Sequence, residues 1–122
     1  MKHIRTVGVV GAGTMGAALA QKFVQEGFDV ILADRTINYV EKGLNHIHLT
    51  LQDGIEKKIF TKQQVETYLS HLKGTDSIPD LKNCDLVVEA IFENLDAKKD
   101  LFRSLSEIVS GDCIVATNTS SF

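Results

Sequence analysis

The sequence is short of several things. It has one proline in 122 residues and no repeat or low-complexity tract, so nothing in it reads as a linker between domains. No apolar stretch approaches the roughly 20 residues of a membrane span. The opening "MKHIRTVGVV" sets basic residues before an apolar run. That run breaks at Gly11 without a small-residue cleavage pattern, which argues against a signal peptide. Basic residues do not accumulate either: 13 Lys and Arg stand against 16 Asp and Glu, for a net charge of −3. No basic stripe of the kind nucleic acid requires is present. The two cysteines, Cys84 and Cys113, lie far apart, each beside an apolar run. They read as reduced core thiols of a cytoplasmic protein, with a disulfide the lesser alternative. The four histidines are not spaced as metal ligands: His46 and His48 are two apart on a helical pattern, so they do not face one site, and no metal is expected.

What remains is an ordinary globular composition, 43% hydrophobic and 24% charged, in a chain long enough for one domain with a real core. "IRTVGVV" is a β-branched run ended by glycine, which predicts a buried strand over 4–10. "TMGAALAQKFVQEG" predicts a helix with Met15, Leu19, Phe23 and Val24 on its inner face and Gly27 as its cap. "DVILAD" predicts a second strand, completing a βαβ unit. A long helical pattern follows from Thr36 to about Lys58, with apolar steps at Ile37, Val40, Leu44, Ile47, Leu51 and Ile55. Thr61 with Gln64 three residues on reads as a capping box, opening a second helix that doubles back on the first. "LKGTDS" is a weak strand candidate and "DLVVEAI" a strong one. "LDAKKDLFRSLSEIVSG" predicts a helix burying Leu95, Leu101, Phe102, Leu105, Ile108 and Val109, with Gly111 as cap, and "CIVAT" a last strand. Strands apolar on both faces, alternating with helices, predict an α/β doubly wound parallel sheet of Rossmann type, with a helical pair inserted after the second strand.

The chemistry concentrates at strand ends. "GAGTMG", Gly11 to Gly16, is a G-x-G-x-x-G placed directly after a strand and before a helix. Gly11 permits the turn, Gly13 lets backbone approach a pyrophosphate, and Gly16 lets the helix pack closely. Ala12, Thr14 and Met15 complete the loop, and the helix N-terminus offers N–H groups to the phosphates. Asp34 ends the second strand, where a carboxylate accepts the hydroxyls of an adenine ribose and repels a 2′-phosphate, favouring NAD over NADP. Arg35 could accept that phosphate, but stacking on the adenine is the better reading. FAD remains a rival, since the same pattern serves its ADP half.

Three segments, "GVVGAGTMGAALAQKFVQEGFDVILADR", "VVEAIFENLDAKKDLF" and "ATNTSS", resemble the NAD-binding domain of the L-3-hydroxyacyl-CoA dehydrogenases. The resemblance spans essentially the whole chain, and the second segment is far more specific than the glycine loop. It implies backbone passing the cofactor at Ala90 and Ile91. It implies NAD contacts at the nicotinamide end for Glu93 and Lys98. It gives Ser120 a place beside both nicotinamide and the substrate oxygen, as the catalytic-site serine, with Asn118 shaping the same pocket. Thr50 and Lys57 match positions that touch coenzyme A, so an acyl-CoA partner is implied. The family's general-base histidine, in a segment resembling G-L-H-F-F-N-P, and the glutamate that orients it are expected beyond residue 122. The C-terminal helical domain that forms a homodimer is expected there too, and the 122 residues alone are expected not to turn substrate over.

Plainer accounts stand beside these. Lys57 and Lys58 read equally well as a solvated pair. Glu89 could be a strand-end carboxylate capping a helix, Lys98 and Lys99 an exposed charge pattern, and "TNTSS" a self-satisfied turn. A dehydrogenase of another 3-hydroxy acid, or a non-catalytic NAD-sensing module, are the alternative functions.

Overall fold

A computed structural model of the chain describes residues 3–91 and 95–117. Five short strands form one sheet: β1 (Thr6–Val10), β2 (Asp29–Ala33), β3 (Leu72–Thr75), β4 (Leu86–Glu89) and β5 (Ile114–Thr117). Their spatial order is β3-β2-β1-β4-β5, and every neighbouring pair is parallel. The register sets Thr75, Ala33, Val10, Glu89 and Thr117 side by side, so the carboxyl ends of all five strands share one rim. Sequence order runs outward from β1 through β2 to β3, then returns to the other side of β1 at β4. That reversal, between β1 and β4, is the switch point where such sheets open a crevice.

Helices cover both faces. α1 (Thr14–Gln25), α2 (Ile37–Glu56) and α3 (Lys62–Ser70) pack on one, around Val9, Leu32, Ile47 and Leu51. A 3₁₀ turn (Ile78–Leu81), started by Pro79, and α4 (Leu95–Ile108) pack on the other, around Val87, Leu101 and Leu105. The doubly wound parallel fold and the helical pair after the second strand are both present. The weak strand candidate is a true edge strand, narrowed at Gly74 because Val40 and Leu44 of α2 occupy the space a Cβ would need. The capping box is formed, Thr61 Oγ1 accepting from the Gln64 N–H at 3.1 Å and Gln64 accepting from the Thr61 N–H at 2.9 Å.

Two local expectations are corrected. On α1 Val24 is buried as expected, but it shares the inner face with Gly16, Ala17 and Ala20, and Met15 is 39% exposed. Small side chains win because α1 lies close on β1, with Leu19 and Phe23 flanking the core. At the far end of α4, Gly111 is not a left-handed cap: positive φ among the described glycines occurs only at Gly11 and Gly27. The chain turns there through a Cys113 N–H to Ser110 carbonyl bond at 3.0 Å. Of the apolar positions expected on α4, Leu101 and Leu105 are buried, Ile108 and Val109 pack at the core margin, and Phe102 is 37% exposed. The Leu95 side chain lies outside the described residues.

Candidate cofactor-binding site

Val10 is the last residue of β1, and the chain must leave the rim at once to begin α1. Gly11 takes φ +109°, and a Cβ on it would stand 2.9 Å from the Ala90 carbonyl carbon and oxygen. A Cβ on Gly16 would lie 1.5 Å from the Gly11 carbonyl oxygen, so only glycine lets the helix lie this close. Gly13 is different: a Cβ there would meet nothing within 4 Å. Two of the three glycines are therefore demanded by packing, and the middle one faces open space. Gly13 is also the N-cap of α1, with no side chain capping the helix and no acid in its first turn. The N–H groups and partial positive charge at this end suit an anion.

The loop is fastened from two sides. The Gly11 N–H donates to the Ala33 carbonyl at 2.7 Å, and the Ala12 N–H donates to Asp34 Oδ2 at 2.8 Å. Asp34 Oδ1 accepts from the Arg35 N–H at 2.7 Å. The carboxylate thus stands half-buried beside the glycine loop and retains lone pairs for further donors. Arg35 sits with its guanidinium 5.8 Å from the Tyr39 ring centre, so an aromatic partner within the chain already engages it. Across from the loop, α2 closes a cavity of about 280 Å³, with Ala12, Gly13, Thr14 and Ala17 on one wall and Tyr39, Lys42, Gly43 and His46 on the other. Gly43 makes that approach feasible, since a Cβ on it would be 2.8 Å from the Ala12 carbonyl oxygen.

On the other side of the switch point, the Ala90 N–H donates to the Val10 carbonyl at 2.8 Å, which brings Ala90 and Ile91 against the loop. Glu89 is fully buried. Its Oε2 accepts from the Ile91 N–H at 3.1 Å, and its Oε1 lies 3.3 Å from Thr117 Oγ1 and 3.4 Å from Lys98 Nζ. The Lys98 side chain is only 13% exposed, so it does not belong to a solvated face, and Glu89 engages it as an ion-pair partner.

The expected residues thus fall into groups. Gly11, Ala12, Gly13, Thr14, Met15, Gly16, Asp34 and Arg35 gather around the loop, and Ala90, Ile91 and Lys98 stand beyond it at the β4 end. Thr50 and Lys57 lie elsewhere, on the outer side of α2 and at its C-cap, continuing at helical spacing the stripe of Tyr39, Lys42 and His46. Thr50 donates to the His46 carbonyl at 2.9 Å. Lys57 pairs with Asp53 at 2.9 Å, and that hydrogen bond and charge raise its pKa above the ordinary lysine value. Glu93, Asn118 and Ser120 lie outside the described residues. Sequence reasoning missed Gly43 and the lining by Lys42 and His46. The signal was there: a glycine inside a helix costs about 1 kcal/mol against alanine, so it usually marks a close approach.

Several known proteins resemble the chain. A probable 3-hydroxybutyryl-CoA dehydrogenase of Deinococcus radiodurans is 43% identical over 93% of the chain, which covers 41% of that protein. A 3-hydroxybutyryl-CoA dehydrogenase of Clostridioides difficile is 40% identical, again over 93% of the chain and 40% of its own length. The crystal structure of (S)-3-hydroxybutyryl-CoA dehydrogenase from Ralstonia eutropha superposes with a TM-score of 0.94 at 39% identity, over 98% of this chain and 42% of that one. The chain therefore spans about two fifths of the length of these relatives. Residues 6–122 match the family described as 3-hydroxyacyl-CoA dehydrogenase, NAD binding domain, and the chain belongs to it.

Proposed function

We propose that this domain holds NAD(H) across the β1–β4 switch point for a dehydrogenase that interconverts 3-hydroxyacyl-CoA and 3-oxoacyl-CoA. The observation that carries the reading is the contrast among the glycines: Gly11 and Gly16 are crowded, whereas Gly13 opens on empty space at an uncapped helix end. A pyrophosphate fits that space and that charge. NAD, when bound, supplies the hydride acceptor. The chain's part is to bind and orient. Gly13 and the first turn of α1 face the phosphates, Asp34 accepts the adenine ribose hydroxyls, and Ala90 and Ile91 wall the groove. In this reading Glu93, Lys98, Asn118 and Ser120 serve the nicotinamide end, and Ser120 also meets the substrate oxygen.

The acyl-CoA substrate accords with the relatives' names. Thr50 and Lys57 are proposed to touch its CoA. A second reading, a 3-hydroxy acid without CoA, is favoured by one observation: both of those side chains are already engaged within α2. Cytoplasmic placement is proposed because Cys84 and Cys113 form no disulfide, which suits a reducing compartment. Among the described residues no helix is long and apolar enough to cross a membrane.

Titration calorimetry of the chain with NADH and NADPH tests the cofactor. NADH should bind more tightly, and Gly13→Val should abolish binding while the circular dichroism spectrum and melting point hold. Undiminished NADH affinity in folded Gly13→Val would overturn the phosphate cradle. For the substrate, a polypeptide of the relatives' full length should produce NADH from 3-hydroxybutyryl-CoA. A Lys57→Ala variant of it should raise KM for the CoA ester without changing KM for free 3-hydroxybutyrate. Equal KM shifts would favour the second reading.

A further inference from the structure

Among the described residues, Glu89 is the one charged side chain that is buried. A carboxylate withdrawn from water is unfavourable unless donors and a cation surround it. Its partners come from three elements: the turn after β4 through the Ile91 N–H, the end of β5 through Thr117, and α4 through Lys98. A neutral glutamine could accept from the turn and from the threonine equally well. Only the ammonium requires a charge here. Position then says what that ammonium is for. Asp34 marks the adenosine side of the rim at β2, and the register continues through Val10 to Glu89 and Thr117. A dinucleotide laid across the switch point puts its second mononucleotide over β4 and β5. Lys98 stands at that place.

We propose that Glu89 is a positioning residue, which holds the Lys98 ammonium over the carboxyl ends of β4 and β5 to serve the nicotinamide half of the cofactor without touching it. The inference rests on the reading of the domain as an NAD site and adds to it the device that aims Lys98. Without the carboxylate, the flexible lysine stem loses the anchor that aims its ammonium over the β4 and β5 ends.

The test separates the two halves of the ligand. NADH and ADP are titrated into the wild-type chain, Glu89→Gln, Lys98→Met and the double variant. ADP reports only the adenosine side and the loop. NADH affinity should fall about tenfold in each single variant, the scale of one charge-assisted contact, and no further in the double. ADP affinity should be unchanged throughout. NADH and ADP weakening together in Glu89→Gln, losses that add in the double variant, or unaltered NADH binding would each overturn the proposal. Should Glu89→Gln not fold, side-chain NMR of the wild-type Lys98 ammonium decides. Its resonance should shift with NADH and not with ADP, and equal response to both overturns the assignment. A wild-type chain that binds neither ligand removes the NAD reading itself, and the positioning role with it.

Discussion

At the scale of single residues, Asp34 has two tasks that a spacing argument reads as one. Its position after β2 was legible as a ribose acceptor. Its bond to the Ala12 N–H was not, because nothing in a sequence shows which backbone group a side chain meets. Asp34→Ala should therefore weaken NADH roughly ten- to a hundredfold. Asp34→Asn, which keeps an acceptor for Ala12, should retain more of the affinity. Calorimetry that ranks the two variants equally would remove the loop-fastening role. Cys84 offers a second residue-level test. Burial pushes its thiol from 9.0 up to about 12, with the nearby Cys113 and Asp85 adding to the rise. A folded pKa above the unfolded one means that the stability contribution is whole below pH 9.0 and is lost as pH rises towards about 12. Urea melts of the wild-type chain should lose stability through that window, and Cys84→Ala should flatten the loss. Parallel curves for the two would show that the thiol is not its source.

At the scale of elements, α1 and α2 show where periodicity is trustworthy. Val40, Ile47 and Leu51 are buried as the steps of three and four require, because α2 lies on a broad apolar sheet face. On α1 the same rule found Val24 but also picked Met15, Leu19 and Phe23, whereas close approach to β1 selects the small Gly16, Ala17 and Ala20. Apolar periodicity finds a helix face to within a residue or so, and the packing distance decides its final rotation. Gly43 is the counterpart on α2. Gly43→Val should drive the helix from the Ala12 carbonyl, destabilising the chain by roughly 1–3 kcal/mol and weakening NADH through the displaced loop. Gly111→Ala, in open space without positive φ, should be neutral or stabilise by up to about 1 kcal/mol. Urea melts of both check the pair, and a Gly43→Val chain as stable as wild type would refute the close contact.

At the scale of the whole molecule, the fold class was legible because strands apolar on both faces leave few arrangements. The aim of Lys98 was not, since Glu89 and Lys98 belong to different elements and meet only once α4 has docked. The two walls of the groove, Gly11 and Ala90, follow strands far apart in the chain, joined by the pairing of Val10 with Glu89. Such a pairing closes most of the chain into one loop before any contact compensates for the lost freedom, and non-local parallel pairing is slow for that reason. The βαβ unit at the N-terminus has no such delay. In stopped-flow refolding, helical ellipticity should therefore return ahead of the capacity to quench or enhance NADH fluorescence. Simultaneous recovery of both would mean that β4 joins β1 at the outset. With the expected order, a half-assembled chain is blind to its cofactor, and NADH in the refolding buffer can only trap the finished sheet, slowing its unfolding without hastening its birth.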